Sequence, residues 1–276
     1  RLGSSAAGAP LPLPNIVLDL LSHAAVQARM ELVRGLKAPS EKALAEKGSA
    51  FTAIRNAMPL APPVIHHDDL SGHGQGVKNI AGLQVLGKSG SHCVVYGIGI
   101  FTDSRFEQQM AKEGCETHGF DCTVSPTSSA VRNQNFSFHR WCIGASGSSF
   151  NSENAYASST RKYDFKTLAE TQQQLGHNFI DVLKFDIEGF EWDLFDKALL
   201  NTSMKLPRQL SFELHTEGAA KKYVSPAVVK GRHFVEVNKL FLALFDLGYR
   251  VVSKEVSGGD PACAEFVLVN VNEGQL

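Results

Sequence analysis

The sequence predicts an α/β fold built on a doubly wound, seven-stranded, mostly parallel sheet with an antiparallel last strand and an N-terminal helical extension. Strand-like and helix-like stretches alternate from residue 92 onward, as expected when helices cover both faces of a parallel sheet. Segment 180–187 is apolar on both faces, which is typical of a central strand. Only residues 257–261 join the last two strands, so these must pair antiparallel.

The elements follow one another in a regular order. The expected strands cover residues 92–97, 116–121, 136–143, 180–187, 209–215, 249–256 and 264–271. The expected helices cover residues 103–114, 164–176, 190–200 and 233–247. The last helix carries an apolar stripe at helical spacing, formed by Phe234, Val237, Phe241, Leu244 and Phe245.

Residues 1–88 differ from the sheet domain, which we assign to residues 89–276. Apolar periodicity predicts helices over 15–35 and 39–58, the second with a start signal at its first residues. Residues 59–79 show no period and predict a surface loop. The loop includes the cluster His66-His67-Asp68-Asp69. We interpret this cluster as part of a solvated loop and not as a metal site, because adjacent residues rarely converge on one ion.

Composition excludes several classes of function. The formal net charge of −1 does not favour a nucleic-acid partner. No apolar run approaches the about 20 residues that span a bilayer.

The five cysteines form no CxxC pair, so we expect no structural zinc site and interpret most of them as buried thiols. Sequons at Asn135 and Asn201 slightly favour the secretory pathway or Golgi lumen over the cytoplasm.

Acidic residues follow two strands that we expect to be neighbours. Asp186 and Glu188 come at the end of the central strand, where α/β sheets bind ligands, although they could instead cap the next helix. Glu213 and His215 point to one face of the following strand. We expect all four side chains to converge on one pocket. There His215 could act as a general base, as one ligand of Mg²⁺, or as a hydrogen-bonded strand-end residue.

A glycine turn ends the first strand of the expected sheet. Gly97 and Gly99 let a ligand approach the backbone where a helix begins, although a tight packing turn is an equal alternative. Asp121 ends the second strand and could accept both ribose hydroxyls of a nucleoside. The third glycine of GxGxxG is replaced by Thr102, which favours a nucleoside without a diphosphate and disfavours a nicotinamide dehydrogenase.

Several of these tracts resemble a known family. Gly97-x-Gly99, Asp121, the tract WCIG at 141–144 and LKFDIEGFEWDLF at 183–195 are similar to S-adenosylmethionine-dependent methyltransferases of the FkbM type and their eukaryotic methyltransferase-like relatives. The resemblance covers about residues 90–271. One departure is Tyr96, where the family usually has an acidic residue before the first glycine. The resemblance implies the class I methyltransferase sheet.

The resemblance also implies roles for individual residues. Gly97 and Gly99 would pass beneath the methionine part of S-adenosylmethionine, and Asp121 would hold its ribose. Cys142 and Ile143 would flank the adenine, with core packing as the alternative. Asp186 would face the sulfonium. Together with the acidic cluster, this predicts catalytic roles for Asp186, Glu213 and His215, with no metal ligand assigned.

The implied reaction is O-methylation of a hydroxyl on a small molecule, sugar or glycan. Two alternatives remain open at this stage. One is a protein- or glycan-modifying methyltransferase, and the other is a cofactor-binding scaffold without catalysis.

Overall fold

The structure is a computed structural model that describes part of the chain. The described residues are 67–69, 79–81, 92–144, 163, 165–200, 204–219, 224, 226–256 and 262–270. The helices expected over 15–35 and 39–58 lie outside these residues, as does the turn expected at 257–261. The division between residues 1–88 and 89–276 stays a prediction.

The strands of the described residues include short ones that the sequence did not predict. They are β1 (His67–Asp69), β2 (Asn79–Ala81), β3 (Val94–Ile98), β4 (Glu116–Phe120), β5 (Ser137–His139), β6 (Cys142–Ile143), β7 (Phe165–Lys166), β8 (Val182–Phe185), β9 (Gln209–His215), β10 (Tyr249–Val256) and β11 (Cys263–Asn270). The helices are α1 (Arg105–Lys112), α2 (Leu168–Leu175), α3 (Glu191–Leu194), α4 (Pro226–Val229) and α5 (Phe234–Asp246). Helix α3 continues into a π-helical turn, Phe195–Leu199.

The central sheet is mostly parallel, which confirms the predicted α/β class. Its strands lie in the order β10-β11-β9-β8-β3-β4-β5. The pairs β3–β4, β3–β8, β4–β5 and β8–β9 are parallel, whereas β11 is antiparallel to both β9 and β10. The carboxyl ends of β3, β4, β8 and β9 therefore meet at one edge of the sheet, which is where such folds bind ligands.

Side chains on the two faces of the sheet belong to different clusters. Leu183 and Phe185 share a core with residues of α2, α3 and α5, and Phe185 stacks on Phe212 with ring centroids 5.0 Å apart. On the other face, Val95 and Val182 pack with Phe106 and Met110 of α1 and with Ile80 of β2. Because both faces of β8 are covered, its run of apolar residues is explained by burial.

Helix α2 shows why a sequence period can misplace a helix start. The expected helix began at residue 164, but Phe165 and Lys166 form β7, and the helix begins after Thr167. Thr167 and Glu170 form a capping box that satisfies free amides at the helix start. Gly176 ends the helix in the left-handed conformation, with φ 77°.

Two expectations about local structure were wrong. The strand expected over 136–143 divides, because Cys142–Ile143 leaves the central sheet and pairs with Phe165–Lys166. The surface loop expected over 59–79 contains β1, which pairs antiparallel with β2. Both departures involve strands of two or three residues, which are too short to show a period in the sequence.

Most of the cysteines form disulfides instead of the expected buried thiols. Cys93 pairs with Cys115 and Cys122 pairs with Cys142, whereas Cys263 is a buried thiol. The first bond joins the starts of the neighbouring strands β3 and β4, and the second joins the residue after Asp121 to β6. Sequence spacing alone could not indicate these pairs. Among the described residues, no helix combines the length and apolar character needed to cross a membrane.

Candidate functional site

The glycine turn after β3 is packed tightly against its neighbours. Gly99 has φ 81°, and a Cβ atom there would lie 1.8 Å from the carbonyl oxygen of Asp186. A Cβ atom at Gly97 would lie 2.1 Å from Oε1 of Glu107. Both positions therefore require glycine for packing, the alternative considered for this turn, and Gly99 brings the turn into contact with the segment that carries Asp186.

A buried ion pair supports this turn from below. The Lys184 Nζ donates a hydrogen bond to the Gly99 carbonyl at 2.6 Å and lies 3.8 Å from Oε1 of Glu107. The side chains of Lys184 and Glu107 are 4% and 0% exposed. The only sequence signal for this pair was a lysine within an otherwise apolar strand, and Glu107 gave no signal because it lies on an amphipathic helix.

Asp121 lies at the carboxyl end of β4 and binds the same turn. Its Oδ2 accepts hydrogen bonds from the amides of Ile100 and Phe101 at 3.0 and 2.8 Å. Its Oδ1 accepts from the amide and the hydroxyl of Thr123 at 2.8 and 2.6 Å. These four bonds use about all of the acceptor positions that a carboxylate has. A ribose hydroxyl would therefore have to displace a donor, and the rotatable Thr123 hydroxyl is the most easily displaced.

The predicted adenine residues are buried next to this carboxylate segment. Cys142 and Ile143 are 5% and 3% exposed, and Ile143 belongs to the main hydrophobic core. The disulfide from Cys142 to Cys122 ties this segment to the residue after Asp121. Core packing, the alternative role, is therefore present at both positions, and contact with adenine stays a prediction.

Acidic side chains from three strand regions converge at the carboxyl edge. Glu213 lies directly opposite Glu265 on the antiparallel β11, and His215 lies opposite Cys263. Ligand atoms of Asp186, Glu213 and Glu265 all lie within 4.8 Å of one another. The same limit holds for the set Asp186, Glu188 and His215 and for the set Glu213, His215 and Cys263. The side chains that we expected to meet do so, and Glu265 and Cys263 join them.

His215 is buried between two further carboxylates. Its Nδ1 lies 3.2 Å from Oε1 of Glu191, and its Nε2 lies 3.4 Å from Oε2 of Glu188. Burial disfavours the charged imidazolium, but the Glu191 charge and the contact with Cys263 outweigh this and raise the pKa of His215 well above 6.5. The charged imidazolium form of His215 is therefore favoured in the folded protein.

The turn between β8 and α3 has a left-handed residue and is bound by the side chain of Glu191. Glu188 has φ 56°, a left-handed conformation that non-glycine residues rarely adopt outside functional segments. The carboxylate of Glu191 accepts hydrogen bonds from the amides of Ile187 and Gly189 at 2.7 and 2.9 Å. Helix α3 begins after Phe190, which makes no side-chain cap. The capping role given as the alternative for Asp186 and Glu188 is therefore filled in this turn by Glu191, whose carboxylate binds the free amides.

Comparison with known proteins agrees with this architecture. The methyltransferase domain family matches residues 61–270. A human protein described as probable methyltransferase-like protein 24 is 32% identical over 124 residues, which cover 45% of this chain and 32% of the relative. The rat protein of the same description is 33% identical over 125 residues, covering 45% and 33%. The matched segment thus spans about a third of the length of these relatives.

The sheet order, the glycine turn and the carboxylates at the carboxyl edge all fall within the range that the family matches. Because that range covers residues 61–270 of a 276-residue chain, the protein belongs to the methyltransferase domain family.

Proposed function

We propose that the chain is an S-adenosylmethionine-dependent methyltransferase that methylates a hydroxyl on a small molecule, sugar or glycan. The observation that carries this proposal is the contact between Gly99 and the backbone of Asp186. This contact puts the glycine turn, where the cofactor would bind, directly beside the carboxylates that would serve the acceptor. The resemblance to FkbM-type enzymes in the tract LKFDIEGFEWDLF points to the same arrangement.

The described residues fit this cofactor in charge. Gly97 and Gly99 let the turn pack against Glu107 and the Asp186 carbonyl, which brings the turn beside the acidic cluster. The carboxylates of Asp186, Glu213 and Glu265 lie within 4.8 Å of one another and favour a cation such as a sulfonium. Asp121 would keep the turn in shape through the amides of Ile100 and Phe101.

The protein's chemical task is to take up the proton of the acceptor hydroxyl. When bound, the cofactor supplies an electrophilic methyl group on a positively charged sulfur. As the O–H bond breaks and the O–CH₃ bond forms, the proton needs an acceptor within reach. Both ring nitrogens of His215 lie beside carboxylates, those of Glu191 and Glu188, so we assign the role to the carboxylates of Asp186 and Glu213. His215 would then be a positioning residue that holds Glu188 and Glu191.

Binding of the cofactor can be tested by calorimetry on the full chain. Asp121→Ala should weaken the affinity for S-adenosylmethionine by about 1.5–3 kcal/mol, the cost of removing a charged hydrogen-bond partner. Thr123→Val is the matched comparison, because it removes the donor that the ribose would displace and leaves the bonds to the turn, so the affinity should not fall. Binding of NAD without any response to S-adenosylmethionine would reject the proposal, and an unchanged affinity in Asp121→Ala would place the ribose elsewhere.

The roles of the acidic cluster can be tested by methyl release against sugars, phenols and peptides. Glu213→Gln should lower kcat on the order of 10²–10⁴-fold with cofactor affinity retained, as expected for loss of a proton acceptor. The exposed Lys197→Gln serves as a surface control. If His215→Gln instead removes an ionisation above 6.5 from the pH–rate profile, then His215 is the base. If EDTA abolishes activity and Mg²⁺ restores it, the cluster is a metal site.

We also propose that the protein works in an oxidising compartment of the secretory pathway. The two disulfides support this location, because such bonds are rare in reducing compartments. Asn135 of the first sequon is exposed, and its Nδ2 makes one hydrogen bond, to the Gln108 carbonyl. One amide hydrogen therefore remains for a glycan. Asn201 of the second sequon lies outside the described residues.

This location can be tested on the endogenous protein. Thiol labelling before and after reduction should show four protected cysteines, as the two disulfides require. Removal of N-glycans should lower the mass of the protein. In Asn135→Gln this decrease should be smaller by the mass of the glycan on Asn135. A chain isolated with all of its thiols free to label would contradict the proposed compartment.

A further inference from the structure

A second group of ligand side chains lies at the opposite edge of the sheet from the candidate active site. His92 precedes β3, Glu116 begins β4, and His177 follows α2. The Nε2 atoms of His92 and His177 lie 2.6 Å from Oε2 and 3.0 Å from Oε1 of Glu116. One ligand atom from each residue lies within 4.8 Å of the other two. We call these three residues the His92–Glu116–His177 cluster.

We propose that the His92–Glu116–His177 cluster binds a zinc ion. Two imidazoles and one carboxylate are a donor set that Zn²⁺ favours, with a fourth position left for water. The bonds to such an ion are about 2.0–2.2 Å long. The side chains would therefore need only a small adjustment, and His92, whose side chain is 69% exposed, has the freedom to make it.

The backbone holds two of the ligands in place before any ion binds. The disulfide between Cys93 and Cys115 joins the residues directly next to His92 and Glu116. The Glu116 amide also donates a hydrogen bond to the Cys93 carbonyl at 2.8 Å. The two ligands are thus fixed by a covalent bond and a hydrogen bond, which lowers the entropy that binding would otherwise cost.

The third ligand is oriented by the groups around it. The backbone amide of His177 donates to the Gln172 carbonyl at 2.9 Å, so the end of α2 fixes its position. Its Nδ1 lies 2.7 Å from the hydroxyl of Tyr96, a side chain with no exposed surface. If Nδ1 carries the proton, Nε2 is free to ligate, which is the outer-shell arrangement typical of metal-bound histidines. His118 Nε2 lies 3.0 Å from Oε1 of Glu116 and supports that carboxylate in the same way.

The position of the cluster sets the ion apart from the candidate active site. It would join the starts of β3 and β4 to the end of α2, whereas Asp186 and Glu213 lie at the other edge of the sheet. Sequence spacing could not predict this site, because its ligands are far apart along the chain and belong to no CxxC or HxxxH pattern.

The proposal can be tested by zinc titration of the full, oxidised chain after treatment with EDTA and dialysis. We expect one high-affinity Zn²⁺ per cluster, and a rise in Tm of about 5–10 °C when free Zn²⁺ is 100 times its Kd. His92→Ala should abolish this rise without lowering the stability of the metal-free protein, because the side chain is exposed. His118→Phe should weaken zinc binding about 10–100-fold, as expected for an outer-shell partner.

Two controls distinguish this cluster from other zinc ligands in the chain. His233→Ala removes the imidazole of another histidine–carboxylate pair, with Glu236, and should leave the zinc response unchanged. Cys263→Ser removes the thiol next to His215 and should also leave it unchanged. No zinc response in the wild type would overturn the proposal. A zinc response that persists in His92→Ala would also overturn it. Loss of the zinc response in Cys263→Ser would show that the ion binds at the other edge of the sheet, beside His215.

Discussion

His215 Nδ1 lies 3.2 Å from Oε1 of Glu191, a carboxylate with no exposed surface. The same carboxylate accepts hydrogen bonds from the amides of Ile187 and Gly189. One buried side chain therefore orients the imidazole and also fixes the turn that follows Asp186. The charge of His215 and the shape of this turn are physically coupled through Glu191, and the first two predictions concern this coupling.

Glu191→Gln should lower the free energy of unfolding by about 3–5 kcal/mol, because it removes the buried one of the two carboxylates beside His215 and leaves only the partly exposed Glu188. Urea unfolding with a two-state fit measures the change. The matched control is Glu236→Gln, which removes the charge from a more exposed histidine pair and should cost less than about 1 kcal/mol. Equal losses in the two variants would show that Glu191 contributes no more to stability than the more exposed Glu236.

The stability contributed by His215 should decrease as the pH rises above neutral. The pKa of His215 is raised in the folded protein, because the effect of Glu191 and Cys263 exceeds that of burial. The contribution of His215 is therefore fully present below the pKa of about 6.5 that its imidazole has in the unfolded chain. Above this pH the stabilising free energy decreases by up to about 1.4 kcal/mol per pH unit, until the pH reaches the pKa of His215 in the folded protein. Urea unfolding of wild type and His215→Gln between pH 6 and 9 measures this difference, and parallel curves would contradict it.

Gly99→Ala should destabilise the protein by more than the strain of its backbone alone. Gly99 and Gly114 both have positive φ, 81° and 95°, so alanine is strained at either position. A Cβ atom at Gly99 would also meet the Asp186 carbonyl, whereas no atom lies within 4 Å of one at Gly114. We expect a loss of about 1–2 kcal/mol for Gly114→Ala and a clearly larger loss for Gly99→Ala. Thermal unfolding compares the two, and similar losses would refute the packing role of Gly99.

Removing each disulfide should separate stability from cofactor binding. The bonds close segments of similar length, with sequence separations of 22 and 20 residues, so each should contribute about 3 kcal/mol to stability. Only the Cys122–Cys142 bond adjoins the proposed cofactor residues Asp121 and Ile143. The double serine variant at Cys122 and Cys142 should therefore weaken binding of S-adenosylmethionine, whereas the variant at Cys93 and Cys115 should not. Calorimetry measures both, and equal affinities would contradict the assignment.

Local patterns in the sequence were sufficient to predict the class of fold. The apolar run at 180–187 indicated a buried strand, and the short connection before the last strand required an antiparallel pair, as observed for β10 and β11. Strand ends could be located to within a few residues, so Asp121, Asp186 and Glu213 could be placed at one edge. These inferences succeed because periodicity and chain connectivity are properties of neighbouring residues.

The tertiary structure alone decided which distant side chains meet. Strand order and register place Glu265 opposite Glu213, Lys184 beneath Gly99, and His92 beside Glu116. They also determine which cysteines pair, and they place the carboxylates of Glu188 and Glu191 beside His215. Such contacts depend on distances in three dimensions between residues far apart along the chain. A one-dimensional pattern can therefore predict where a functional residue lies on a strand, but not the partners that set its charge and role.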